Sequence, residues 1–169
     1  MRRTCVAAFA AIILLPVAMG GSAAGGKSDM ETVDGYEILE AGKDASFSER
    51  KPSLHLFTNT DAFDRFYTEL HKNRVPVPEP PEADFDKNIV VYISFGRKNT
   101  GGFSIEVLKV FTERDTAVVK ARLREPQPGS FQIQVLTHPY VILSITKGNF
   151  TSIDLIDERG NRLDSKSFR

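Results

Sequence analysis

The chain has 169 residues with 22 basic and 22 acidic side chains, so no net formal charge draws it as a whole toward nucleic acid or an anionic membrane. Its one cysteine, Cys5, excludes a disulfide within the chain and any site built from several thiolates, which leaves packing as the source of stability. The length is that of one ordinary domain able to bury a core.

In chain order the first predicted element is a targeting segment. Arg2 and Arg3 precede a nearly unbroken apolar run from Cys5 to Met19, and the small residues Gly20, Gly21, Ser22, Ala23 and Ala24 follow it. The run is shorter than the ~20 residues a spanning helix needs, and its exit suits a signal peptidase. The expected cut is after Ala24, with residues 1–24 as signal peptide and 25–169 as a single β-rich domain. Losing Arg2 and Arg3 while keeping all 22 acids takes the formal charge to −2. The expectation is an exported protein, periplasmic or secreted, with no stable membrane anchor.

YEILEAG (36–42) is a short candidate strand, AGKDASFSERKP a loop, and LHLF (54–57) a second strand. The stretch TNTDAFDRFYTELHKNR then switches period. Phe63, Phe66, Tyr67 and Leu70 fall at i, i+3, i+4 and i+7, which predicts a helix with one aromatic face laid on a core. Thr60 or Asp61 can cap its start, Lys72 and Arg74 suit its end, and His71 falls at what reads as an exposed tail. Pro76, Pro78, Pro80 and Pro81 make VPVPEPPEADFD a stiff, extended connector.

NIVVYISF (88–95) is apolar on both alternate sets, as expected of a central strand covered on two faces. FSIEVLKVF, the turn TERDT and TAVVKARLRE predict a hairpin. In its second strand Ala117, Val119, Ala121 and Leu123 face the core, while Lys120, Arg122 and Arg124 line a solvated face. After PQPG, the runs FQIQVLT and YVILSI read as two strands interrupted at His138-Pro139, and SIDLI, a turn and a short stub close the chain. The predicted fold class is α+β, mainly antiparallel sheet or sandwich with one amphipathic helix packed on it.

Chemistry is sparse. His55, His71 and His138 show no metal-ligand spacing, and no nucleophile elbow, dinucleotide fingerprint or phosphate loop is present. The expectation is no catalytic, metal or cofactor-binding residues and a protein partner, with no role in nucleic-acid binding. Attention falls on RKNTGGFSI (97–105), where Gly101 and Gly102 allow a sharp reversal and Asn99 and Thr100 can hold it by hydrogen bonds. Strict alternation places Phe103 with Ile105 and Val107 in the core, and leaves Asn99, Thr100 and Tyr140 as contact residues.

The order VVYISFGRKNTGGFSIEVLKV, TAVVKARLREPQPG, VLTHPYVILSITK resembles the C-terminal domain of the protease complex subunit PrcB family. The likeness rests on Gly96, on Thr100-Gly101-Gly102-Phe103 as a TGG-aromatic loop, and on Pro139-Tyr140, and it covers residues 86–147. Phe103 stands where the family more often has Tyr. The resemblance implies an exported, non-enzymatic protein that associates with a secreted protease. It marks Asn99, Thr100, Gly101, Gly102, Phe103, His138, Pro139 and Tyr140 as the candidate protein-binding set. A fainter similarity is to chagasin-type inhibitors of cysteine proteases, which present three loops at one end of a β-sandwich. Here KNTGGF, QPGS and THPY occur in the same order, so loops 97–103, 126–130 and 137–140 would form the inhibitory edge, although no NPTTG string is present and His138-Pro139-Tyr140 replaces Arg-Pro-Trp.

Overall fold

A computed structural model describes residues 30–32, 35–47 and 49–168, so the predicted signal peptide lies outside the described residues. The elements are β1 (Met30–Thr32), β2 (Tyr36–Gly42), β3 (Ser53–Phe57), α1 (Thr60–Leu70), β4 (Asn88–Ser94), β5 (Ser104–Glu113), β6 (Thr116–Arg124), β7 (Tyr140–Thr146), β8 (Ser152–Ile156) and β9 (Arg162–Ser167). They form a sheet in the order β1-β5-β6-β8-β9 and another in the order β2-β7-β4-β3. Neighbours are antiparallel except β6 and β8, which run parallel.

The four-stranded sheet is the middle layer. Ile89, Val91 and Ile93 of β4, with Val141, Leu143 and Ile145 of β7, meet Val110, Val119 and Leu155 of the other sheet. On the opposite face Val90, Tyr92, Tyr140 and Ile142 meet Phe63, Tyr67 and Leu70 of α1. Both alternate sets of β4 are therefore buried, as its apolar run predicted. The arrangement is an α+β sandwich with the helix on its outer face.

Asn59 caps the helix, its Oδ1 accepting from the amide of Ala62 at 2.9 Å, so neither Thr60 nor Asp61 does. Phe66 is only half-buried, stacked on Phe47 with ring centroids 5.0 Å apart. His71 does not sit on an exposed tail. It is 1% exposed, because the chain turns inward after Leu70 and lays the imidazole against the rings of Tyr67 and Tyr140.

Three further expectations give way. The alternation along β5 breaks at Leu108, an extra residue between the pairs Val107–Ala121 and Lys109–Lys120, and this bulge brings Val110 into the core. The closing stub is a full strand, β9, paired along β8. FQIQVLT forms no strand; it is held to the 97–103 loop by the Lys98–Thr137 bridge and a hydrogen bond from Gly101 to Ile133, with no ladder along it among the described residues. The predicted basic stripe is tied to acids, with Arg122 reaching Glu106 and Glu158 and Arg124 reaching Glu106.

Candidate functional site

Gly96 ends the β4 run with a positive φ of 74°, and the chain enters the 97–103 loop. This loop is tied to the segment before β7. Lys98 and Thr137 exchange both backbone hydrogen bonds, at 2.8 and 3.0 Å, and the amide of Gly101 donates to the carbonyl of Ile133 at 3.0 Å. The Thr137 hydroxyl donates to the carbonyl of Thr100 at 2.9 Å. Gly102, with φ 87°, packs against Pro126 and Gln132. Segments 97–103, 126–133 and 137–138 thus gather at one end of the four-stranded sheet, just beyond Ser94.

The predicted contact residues separate by burial. Asn99 and Gly102 are exposed, and Thr100, Gly101, Phe103 and His138 are half-buried. Pro139 and Tyr140 are buried, and Tyr140 belongs to the helix-side core, so it is not a surface contact. Its hydroxyl donates to Glu40 Oε1 at 2.5 Å, while Tyr67 donates to Glu40 Oε2 at 2.7 Å. Phe103 also departs from expectation in the other direction. It lies before the first laddered residue of β5, outside both cores, with Lys98 Nζ 5.7 Å from its ring centre.

Electrostatics at this end are set by burial and a few charges. Burial, and then the Arg97 cation, hold the His138 imidazole below its ordinary value, with nearby Glu49 opposing. Its Nε2 is buried and has no hydrogen-bond partner among the described residues. Glu49 in turn lies 2.9 Å from His55 Nε2, and that hydrogen bond keeps its carboxyl below the usual range against the opposing effect of burial. These groups surround the base of the loop cluster. Among the described residues no group of three or more His, Cys, Asp or Glu is placed to hold a metal ion.

The residues that spacing did not single out are the most exposed. Phe131 is 97% exposed, Ile133 72% and Leu136 58%, with Val135 beside them. Residues 126–137, PQPGSFQIQVLT, contain no charged side chain. An uncharged alternating run directly after a Pro-Gly break was the available signal, and it reads equally as a strand.

Residues 89–146 match the PrcB C-terminal family. The matched range is 58 of the 169 residues, running from β4 to the end of β7, and it takes in the whole loop cluster and the β5–β6 hairpin. The helix, β2, β3, β8 and β9 lie outside the PrcB C-terminal range. No curated protein and no solved structure matches the chain. Of the two resemblances read from the sequence, the family comparison returns PrcB and not the chagasin type.

Proposed function

We propose that this protein is an exported, non-enzymatic binding module that works as a subunit beside a secreted protease. The partner is a protein, and no cofactor takes part. The observation that carries the reading is the exposed group Phe131, Ile133, Val135 and Leu136, lying inside the range that matches PrcB C-terminal. A monomer gains nothing from holding a whole Phe ring in water, whereas an interface gains roughly 25 cal/mol for each Å² of apolar surface it covers. Asn99 and Gly102 border this group through the backbone bonds that join loop 97–103 to Ile133 and Thr137. They supply a polar rim around an apolar centre, the usual layout of a protein-binding patch.

The test is recovery from the native host with a tagged chain and its Phe131→Ser/Ile133→Ser variant. A protease recovered in near-stoichiometric amount with the first and lost with the second supports the reading. If no protease accompanies either chain, the reading fails. Export is checked by intact mass, which is expected to begin at or near Gly25.

A second reading has one observation in its favour, the convergence of 97–103, 126–132 and 137–138 at one end of a sandwich. It is a chagasin-like inhibitor, and titratable inhibition of papain-like enzymes by the purified chain distinguishes it from a protease subunit.

A further inference from the structure

At the other end of β4, away from the loop cluster, a cleft of about 720 Å³ opens between the first turns of α1, the proline-rich connector and the ends of β2 and β7. Phe63 and Phe85 give it an apolar lining, and Glu37, Asp64 and Glu82 stand around it. None of these three carboxylates has an ion-pair partner among the described residues. The fourth acid of the cleft, Asp84, is already held by Lys87 Nζ at 2.8 Å.

An independent observation comes from the sheet. Ser144 of β7 is 7% exposed, faces this cleft, and its hydroxyl makes no hydrogen bond among the described residues. A hydroxyl without a protein partner that opens on a cleft is free to meet a ligand or water entering there. Pro80 and Pro81 in the wall contribute no amide donor. Carboxylates and the Ser144 hydroxyl, with Thr60 and Asn88, make up its polar lining, and the half-buried Phe85 and Leu39 its reachable apolar part, since Phe63 is 1% exposed.

That combination selects its ligand. An anion is repelled, and a bare metal ion lacks a grouped ligand set among the described residues. What fits is a cation carried on an apolar stem, whose methylenes lie on Phe85 and Leu39 while its N–H groups meet the carboxylates. The cleft lies within the usual size for a ligand site. Among the described residues β2 is the outer strand of its sheet, so an extended segment can run beside that edge while one side chain enters.

We propose that this cleft binds a lysine or arginine side chain presented by a partner polypeptide. The inference stands on residues apart from the loop cluster and survives if the loop reading fails.

The experiment is an NMR titration of the purified protein with the blocked peptide acetyl-Gly-Arg-Gly-amide and with its citrulline counterpart, which keeps the shape and removes the charge. Expected are saturable shifts centred on Asp64, Glu82 and Ser144, and binding of the citrulline peptide weaker by about tenfold or more. Asp64→Asn with Glu82→Gln is expected to weaken the arginine peptide about fivefold at an unchanged melting temperature, and the Phe131→Ser/Ile133→Ser variant to bind it normally. Absent saturation, equal binding of the citrulline peptide, or shifts centred elsewhere overturns the proposal. Free arginine amide binding as tightly as the peptide overturns the polypeptide source.

Discussion

The hydroxyl of Tyr140, from the middle of the molecule, donates to Glu40 Oε1 at 2.5 Å, and Tyr67 of the helix completes the same carboxylate. Burial, and then this hydrogen bond to a carboxylate, push both phenols well above their ordinary value of 10.0. Tyr92 is pushed the same way by burial and then by Glu49. The unfolded chain releases these protons from about pH 10 while the folded chain keeps them, so the stabilisation is whole below that pH and is lost as pH rises beyond it. Each such tyrosine lowers stability by about 1.4 kcal/mol per pH unit in that window. Tyr67, Tyr92 and Tyr140 are expected to ionise only together with unfolding. Tyrosinate absorbance rising fully while circular dichroism stays native would contradict this.

The helix face makes a graded prediction. Phe63 is fully buried, so Phe63→Ala is expected to cost about 3–5 kcal/mol, and Phe66→Ala clearly less because its ring is half in solvent. Asn59→Ala removes the cap and is expected to cost about 1 kcal/mol, with Thr60→Ala and Asp61→Ala each costing less. Chemical denaturation of the five variants gives the order directly.

Sequence pattern disclosed the elements whose burial shows in the spacing of their apolar residues, both faces in β4 and one face in the helix. β4 was legible because an unbroken apolar run has few other uses, and the helix because Phe63, Tyr67 and Leu70 repeat at its period. Pattern does not disclose partners. Phe131, Ile133 and Val135 alternate as a strand does, but among the described residues their segment joins no strand ladder, and nothing within the run says so. The same limit hid His71, which is buried against the rings of Tyr67 and Tyr140, and Phe103, which falls one residue short of the β5 ladder. Of the candidate contact residues, Asn99 is exposed and Thr100 half-buried, while Tyr140 is buried in the helix-side core, which the loop spacing alone does not reveal.

The glycines of the loop separate by what surrounds them. At Gly96, with φ 74°, a Cβ would lie 2.7 Å from the backbone carbonyl of Arg50, which cannot rotate away. At Gly102, with φ 87°, the nearest obstacles are the flexible amide of Gln132 and Pro126 Cβ at 2.9 Å. Gly101→Ala meets only the Ile133 carbonyl at 3.8 Å. The expected order of destabilisation is Gly96→Ala, then Gly102→Ala at roughly 1–2 kcal/mol, then Gly101→Ala near zero. Thermal melts that place Gly101→Ala first would show that the loop has a different backbone in solution.

Phe131 and Thr137 divide the loop cluster into what contacts and what supports. The Phe131 ring is almost wholly in water and contributes little to folding, so Phe131→Ser is expected to leave the melting temperature unchanged. If the ring anchors the partner, the same change is expected to cost about 2 kcal/mol of binding, near thirtyfold in affinity. Thr137 is buried, and its hydroxyl holds the carbonyl of Thr100. Thr137→Val keeps the shape and removes that bond, which is expected to cost about 1 kcal/mol of stability and to weaken partner binding indirectly by loosening loop 97–103. The two variants therefore differ in melting temperature, which falls for Thr137→Val and stays unchanged for Phe131→Ser. Asn99→Ala with Thr100→Ala isolates the rim, because Thr137 uses the backbone carbonyl of Thr100 and not its side chain. That double variant is expected to melt normally and to bind more weakly than wild type but more tightly than Phe131→Ser. Partner recovery unaffected by both Phe131→Ser and the rim variant would remove this face from the binding surface.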